Sequence, residues 1–218
     1  MDFILVLSFA LFLTPPSHEA SAPARIEFKL ADTNLIHTRW KSNTARGEWL
    51  APRLVLSQPG KYWVSAATKS KVKTYSPADF ENLHARQSLD LIASYRKQYK
   101  LTARPVKILE SDYAKTLLHV GPRKPDEPNQ ILNLPIEFDL RYPTLLQLNF
   151  RGAPIAGIPV IVNGKRIGVT NGAGQIPIAG QDGKLEISAT VVRAYPDRST
   201  AEWEVFTATL TLPELSLR

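Results

Sequence analysis

Hydrophobic and polar residues alternate with a period of two over much of the chain that follows residue 24, and this alternation predicts β-strands. Gln58-Pro59-Gly60 is a turn signal within this stretch. The predicted strands of the first part of the chain cover residues 25–31, 35–41, 49–57, 61–68 and 70–76. We therefore expect this part of the chain to form a β module.

The spacing of apolar residues changes from residue 76 onward and becomes helical. Ser76-Pro77 with Asp79 three residues after the serine is a capping-box start with proline at the first helical position. The pattern predicts one helix over 77–85 and a second over 89–99, with Ser88 as the cap of the second helix. Beyond them, 110–121 holds three apolar residues near its end and stops at Gly121-Pro122.

Residues 122–130 hold three prolines and four charges in nine residues, which is typical of a linker. After this segment, β-type patterns resume over 134–140, 145–150, 158–163, 165–170, 175–180, 184–194 and 204–212. Turn signals separate them at Arg151-Gly152, Asn163-Gly164, Asn171-Gly172 and Asp182-Gly183. The expected fold class is mainly β, with two β-sandwich-like modules at 25–121 and 131–218 and a short helical insertion in the first.

The N-terminal residues have the pattern of a targeting segment. Residues 3–13 are an unbroken apolar run that is too short to span a bilayer. Small residues follow, and cleavage fits after Ala24 or, alternatively, after Ala22. We expect 1–24 to be a cleaved secretory signal, although it lacks a basic residue, with an uncleaved anchor as the alternative. The mature protein is then expected in the periplasm without a transmembrane segment.

The net charge and the absence of cysteine limit the classes of partner and the means of stabilisation that we expect. With no cysteine, the fold contains no disulfide and no lipidated cysteine, so a hydrophobic core must stabilise it. The formal net charge is +7, and loss of Asp2 and Glu19 with the leader would raise it to +9. Such a charge favours anionic envelope components, whereas nucleic acid conflicts with export. Lys69, Lys71 and Lys73 alternate, which predicts either a solvated strand face or an anion or partner surface.

The stretch 168–178, GVTNGAGQIPI, resembles a phosphate-binding loop because two glycines lie one residue apart. A phosphate loop must lead into a helix, whose N-terminal amides bind the phosphate. Here a β-type alternation follows, and Pro177 occupies the position of the third glycine. We expect a hairpin tip in which Asn171-Gly172 accepts positive φ and Gly174 eases the return into the next strand.

No motif for catalysis or metal binding is present. The chain lacks HExxH, CxxC and GxSxG patterns, which predicts a protein that is not an enzyme. His37, His84 and His119 survive removal of the leader but lie on separate predicted elements, which favours ordinary polar positions over metal ligands. The four tryptophans fit core packing better than a sugar-binding surface; they are Trp40, Trp49, Trp63 and Trp203.

Two resemblances to known families add to this picture. Residues 151–178 resemble the β-sandwich repeat of the transthyretin-like and carboxypeptidase-regulatory type; the matching positions are Gly152, Pro154, Ile155, Gly157, Val160, Thr170, Asn171, Gly174 and Ile176. Residues 48–212 are similar to an uncharacterised exported family labelled as a nickel-uptake substrate-specific or periplasmic cobalt/nickel transport component. The matching positions there are Glu110, Tyr113, Lys115, Gly121, Trp203, Ala208, Leu210 and Thr211.

The second resemblance implies two β-sandwich-like modules with a helical insertion and an accessory role in nickel or cobalt uptake beside an envelope transporter or receptor. If a metal binds, His37, His84 and His119 are its candidate ligands. The alternative is an envelope interaction module that binds a glycan or a protein partner through loops and basic strands. Both hypotheses describe an exported protein that binds without catalysing a reaction.

Overall fold

The structure is a computed structural model of the chain. It describes residues 60–120, 132–142, 144–179 and 183–212 continuously, together with short strands at 13–14, 24–27, 29–30, 35–41, 46–48 and 53–56.

Strands dominate the described residues, and two helices interrupt them. The first eight strands are β1 (Leu13–Thr14), β2 (Ala24–Glu27), β3 (Lys29–Leu30), β4 (Leu35–Lys41), β5 (Arg46–Glu48), β6 (Arg53–Leu56), β7 (Gly60–Thr68) and β8 (Lys71–Tyr75). The helices follow as α1 (Pro77–Gln87) and α2 (Asp90–Gln98). The remaining strands are β9 (Val106–Val120), β10 (Ile136–Tyr142), β11 (Leu145–Phe150), β12 (Ala153–Pro154), β13 (Pro159–Val162), β14 (Lys165–Val169), β15 (Gln175–Pro177), β16 (Leu185–Ala194) and β17 (Trp203–Leu212).

A nine-stranded sheet, here called the large sheet, crosses both halves of the sequence. Its order is β14-β13-β16-β17-β9-β7-β4-β5, and β8 pairs with the N-terminal part of β9. All its pairs are antiparallel except β9 with β17, which run parallel from Ile108↔Trp203 to Thr116↔Thr211. The strand nearest the C-terminus is therefore inserted in the middle of the sheet, beside a strand of the N-terminal half.

A second, four-stranded sheet packs over part of the large sheet and completes a sandwich. In this small sheet β11 lies between β10 on one side and β12 and β15 on the other. The main core lies between the two sheets, and it includes Trp63 and Leu117 from the N-terminal half with Phe138, Leu148 and Leu210 from the C-terminal half. The fold is mainly β and sandwich-like, as predicted. The predicted linker 122–130 lies outside the described residues, and the strands on its two sides share one sheet and one core.

The two helices pack on the opposite face of the large sheet. Phe80 and Leu83 of α1 and Ile92 of α2 contact Ile108 of β9 and Val205 of β17 in a second core. We call this face the helix side and the face under the small sheet the sandwich side. The helical insertion predicted within 77–99 is confirmed, because α1 and α2 lie within it.

The start of α1 is confirmed in atomic detail, whereas the role predicted for Ser88 is wrong. The Ser76 hydroxyl accepts a hydrogen bond from the Asp79 amide at 3.2 Å, and Pro77 is the first helical residue. Ser88 instead ends α1 in the left-handed conformation, with φ 53° and its amide donating to His84 O at 2.9 Å. Leu89 takes the N-cap position of α2 without a side-chain hydrogen bond.

The longest strand, β9, is the element that the sequence pattern left unassigned. Its 15 residues face the helices on one side and the small sheet on the other. Both faces are buried along most of its length, so the polar side chains Glu110, Lys115 and Thr116 lie inside with hydrogen-bond partners. A strand covered on both faces loses the period-two contrast on which strand recognition depends.

The stretch 168–178 contains a tight turn, but the predicted hairpin is wrong, because β14 belongs to the large sheet whereas β15 pairs with β11 of the small sheet. Asn171 keeps the turn together through its side chain, whose Oδ1 accepts from the Ala173 and Gln175 amides, each at 2.9 Å. Gly174 has φ 71°, whereas Gly172 is not at positive φ. Gly174 also donates to Asn171 O at 2.8 Å, and a Cβ on it would lie 2.8 Å from Leu148 O. Only the second glycine is required by the backbone.

Of the predicted leader, 1–24, the structure describes only residues 13, 14 and 24. Leu13–Thr14 pairs with Lys29–Leu30, and most of 1–24 lies outside the described residues, so cleavage after Ala22 or Ala24 stays a prediction. Among the described residues, neither helix has the length and apolar character that crossing a membrane requires.

Gly174→Ala should destabilise the protein strongly, and Gly172→Ala should not. The first change combines a left-handed backbone with a clash against Leu148 O, so we expect the free energy of unfolding to fall by about 2–5 kcal/mol. A Cβ on Gly172 meets no atom within 4 Å, so its loss should stay within about 0.5 kcal/mol. Urea unfolding of the two variants measures the difference, and equal midpoints would contradict the assignment.

Candidate binding cleft between the two sheets

A buried ion pair joins the two sheets, next to the residues 133–135 that line a cleft described below. The Lys115 ammonium of β9 donates to Glu137 Oε1 of β10 and, at 3.2 Å, to the carbonyl oxygen of Phe138. It also lies 4.4 Å from the centre of the Trp63 ring, a cation–π distance. Both charged side chains are only 2% exposed. Burial lowers the pKa of Lys115, and Glu137 opposes that shift by stabilising the charged form.

Glu137 also fixes the backbone that forms one wall of the cleft. Its carboxylate accepts hydrogen bonds from the amide of Leu132 at 2.9 Å and from the amide of Leu134 at 3.2 Å. Asn133, between them, is held with φ 57°, a left-handed conformation that asparagine adopts more readily than most residues. The ion pair and the wall are therefore parts of one hydrogen-bonded unit.

The opposite wall is the turn between β11 and β12. Arg151 and Gly152 both have positive φ, 52° and 82°, as a tight hairpin turn requires. The Arg151 amide donates to Pro135 O at 2.7 Å, which ties the two walls together. Arginine is unusual at such a position, and residues kept in unfavourable backbone conformations are concentrated at functional sites.

The walls and β17 enclose an open cleft of about 480 Å³, within the size range of small-molecule sites. Its lining combines one cation, one carboxylate, one amide and several apolar groups: Asn133, Leu134, Pro135, Arg151, Gly152, Glu204 and Phe206.

The Arg151 side chain is positioned by two aromatic rings. Its guanidinium carbon lies 5.3 Å from the centre of the Phe150 ring and 5.9 Å from that of Phe206. The two rings meet edge to face at 5.1 Å, so they form a fixed support. In the described part of the chain, no carboxylate lies within 4.0 Å of this guanidinium. Arg151 thus presents a pre-oriented, planar set of donors to the cleft.

Glu204 of β17, the strand that forms the floor of the cleft, supplies the negative charge. Its carboxylate, 16% exposed, lies 3.8 Å from Arg193 on the neighbouring strand. Tyr113 is half-buried beside these groups. Burial raises the pKa of Tyr113 above its ordinary value; Glu204 and Asp112 add to the shift, while Ser111 and Arg151 oppose it.

Beyond the cleft, the sandwich side of the large sheet continues onto β9 and β8. Glu204 is in register with Leu109 of β9, and Leu109 with Val72 of β8. Val72 is 38% exposed, although it is hydrophobic. The hydroxyls of Ser70 and Ser111 meet at 2.7 Å along the same edge. We call this surface, which extends from Glu204 through Leu109 to Val72, the shelf.

The structure separates the three lysines predicted as an anion or partner surface. Lys71 and Lys73 belong to β8, whereas Lys69 precedes it, and Lys69 and Lys71 are exposed. Lys73 pairs with Glu110 at 2.6 Å, and the Tyr75 hydroxyl donates to the same carboxylate. By strand alternation, Lys71 and Lys73 lie on the helix side, away from the cleft. Anion binding by these lysines stays a prediction, and Lys73 already has a carboxylate partner.

The three histidines predicted as metal candidates are not brought together. His37 is opposite Ala67 and His119 opposite Lys61, which places their backbones six residues apart along β7, or roughly 20 Å. His84 lies on α1, stacked on Phe80 and 3.8 Å from Asp90. In the described ranges, no group of three or more histidine, cysteine or carboxylate residues could hold a metal ion.

The cleft residues were missed because their sequence signals predict other features. The pair Arg151-Gly152 predicts a turn, and the pattern around Glu204 predicts a polar position in an alternating strand. Only the folded chain brings them together, because they are 53 positions apart in sequence. Of the tryptophans, Trp63 and Trp203 have described side chains; both are buried, as core packing predicts.

Comparison with known proteins adds one distant similarity. No family model matches the chain, and no curated protein matches it. Among solved structures, it is similar to the fibronectin(III)-like modules of Clostridium thermocellum CbhA, with 14% identity over 94% of this chain and 96% of that chain. The TM-score is 0.20, so this similarity supports no inference about fold or function.

Removing Lys115 alone should cost much more stability than removing an exposed lysine. Lys115→Met leaves the buried Glu137 carboxylate without its charge partner, so we expect a loss of about 3–5 kcal/mol in the free energy of unfolding. The double variant Lys115→Met/Glu137→Gln should recover part of that loss. Lys184→Met is the control, because its pair with Glu186 is about 40% exposed and should contribute less than about 1 kcal/mol. Equal urea midpoints for the two single variants would refute this role.

Tyr113 should ionise only above pH 10.0. Because its folded-state pKa is raised, the stability that neutral Tyr113 contributes is complete below pH 10.0 and is lost as the pH rises through the folded pKa. Ultraviolet difference titration of the wild type against Tyr113→Phe should show a component with a midpoint above 10.0. Tyr99→Phe, at a 55% exposed position, is the comparison variant. A Tyr113 midpoint at or below 10.0 would contradict the burial argument.

Proposed function

We propose that the protein is a non-enzymatic binding module that accepts an anionic group of its ligand in the cleft between the two sheets. The observation that carries this proposal is Arg151, an exposed guanidinium held over Phe150 and Phe206 without a carboxylate partner among the described residues. An arginine fixed in this way loses little side-chain entropy when it binds an oxyanion, and its planar donors match a carboxylate, phosphate or sulfate.

The composition of the cleft supports binding rather than catalysis. Its described lining includes neither a histidine, a cysteine nor a serine that could act as nucleophile or proton shuttle beside Glu204. The lining instead pairs a few polar groups with apolar walls, which is usual for sites that recognise a ligand.

The sequence indicates in which compartment and with which class of partner this binding would occur. The predicted leader directs the chain to the periplasm, and the net charge of +7 attracts anionic partners over a distance. An anionic component of the cell envelope fits both features. Association with nickel or cobalt uptake rests on the resemblance alone, since the described residues supply no cluster of metal ligands.

Loss of Arg151 should weaken anion binding more than loss of an equal charge elsewhere. A hydrogen-bonded ion contact contributes about 1.5–3 kcal/mol, so Arg151→Ala should reduce the affinity of the full chain for heparin by roughly tenfold or more. Isothermal titration calorimetry at fixed salt measures this change. Arg166→Ala is the matched control, because Arg166 is half-exposed on the edge strand β14 and its loss lowers the net charge equally.

The comparison of these two variants decides the proposal. Equal loss of heparin affinity would show that only the net charge matters, and the cleft would have no part in binding. Circular dichroism and urea midpoints of both variants confirm that each is folded before affinities are compared.

A further inference from the structure

The chemistry of the cleft also narrows the class of ligand. Resting on the function proposed above, we infer that the cleft binds a hexuronic-acid unit of an acidic glycan, with the sugar carboxylate on Arg151 and ring hydroxyls on Glu204 and Asn133.

The hydrogen-bond donors and acceptors of the cleft complement those of a carboxylated sugar. Arg151 can only donate hydrogen bonds, and ionised Glu204 can only accept them. A ligand that satisfies both must present an anionic acceptor to one residue and a donor to the other. Asn133, on the first wall, can donate and accept, which suits a hydroxyl. A carboxylated sugar ring provides these groups within one small unit.

The charges at the cleft favour a ligand group with a single negative charge. The charged residues of the lining are Arg151 and Glu204, and Arg193 lies 3.8 Å from Glu204, so these three side chains carry a net charge of one positive unit. A single carboxylate neutralises this charge. A phosphate dianion would bring a second negative charge toward Glu204, and the ammonium group of a zwitterion would meet Arg193, which lies 3.8 Å from Glu204. Hydroxyl donors approach Glu204 without either penalty.

The apolar walls of the cleft suit one face of a sugar ring. Leu134, Pro135 and Phe206 give the cleft apolar walls, against which the C–H face of a sugar ring can pack. The shelf continues from Glu204 across Leu109 to Val72, two strand spacings or about 10 Å away. Val72, which is 38% exposed, and Leu109 therefore offer a longer glycan a partly apolar surface on which to continue beyond the charged unit.

The test is calorimetric titration of the full chain with unsulfated trigalacturonate. We expect binding that falls tenfold or more when the carboxylates are methyl-esterified, and equally in Arg151→Ala. Arg151→Lys should restore only part of the affinity, because lysine keeps the charge without the planar donors. Arg166→Ala should bind trigalacturonate nearly as well as the wild type.

Glu204→Gln gives a readout that a nonspecific anion site would not produce. The amide removes a hydroxyl acceptor and also a negative charge, so trigalacturonate should bind more weakly while dextran sulfate, which has no carboxylate, binds more tightly. A parallel increase for both anions would overturn the role assigned to Glu204 and, with it, the sugar inference.

The remaining outcomes separate this inference from the function on which it rests. Arg151-dependent binding of dextran sulfate or inorganic phosphate without binding of trigalacturonate would overturn the glycan class and leave the anion-binding module standing. Trigalacturonate binding that is unchanged in folded Arg151→Ala would overturn both. Tighter binding of free glutamate than of trigalacturonate would show that the cleft selects zwitterions, and this too would overturn the glycan class.

Discussion

The buried contact between Lys115 and Glu137 is the interaction on which the rest of the site depends. Taking two ions out of water is costly, and the cost is offset only because each has further partners: Trp63 and a carbonyl for the lysine, two backbone amides for the glutamate. The amides belong to Leu132 and Leu134, which flank Asn133. One electrostatic contact therefore joins the sheets and also sets the conformation of a cleft wall.

The cleft can stay rigid because its walls are also joined directly. Arg151 donates its amide to Pro135 O, and its guanidinium rests on Phe206, so both walls and the floor meet at one residue. Such a site needs little reorganisation when a ligand arrives, and less of the binding free energy is lost to ordering. The unfavourable backbone at Arg151 is compatible with this arrangement because tertiary contacts on two sides determine it.

Local signals in the sequence predicted the local structure well and the tertiary structure less well. Ser76 caps α1 and Asn163-Gly164 forms a turn, as expected, because both depend on neighbours in sequence. The 15-residue strand β9 was not recognised, because burial on both faces removes its alternation. The cleft could not be predicted, since Arg151 and Glu204 meet only after distant strands have paired.

The position of β17 has a consequence for when the molecule can fold. This strand lies in the centre of the large sheet beside β9. The Lys107 amide of β9 donates a hydrogen bond to the carboxylate of Glu202, which directly precedes β17 and is 95 positions away in sequence. Until residues 203–212 have been synthesised, β9 and β16 lack the strand that lies between them. The main core then also lacks the side chains that β17 contributes to it. Pairings of such long sequence separation form slowly. A chain that must pass through a translocation pore unfolded, as the predicted leader implies, would have this delay built into its topology.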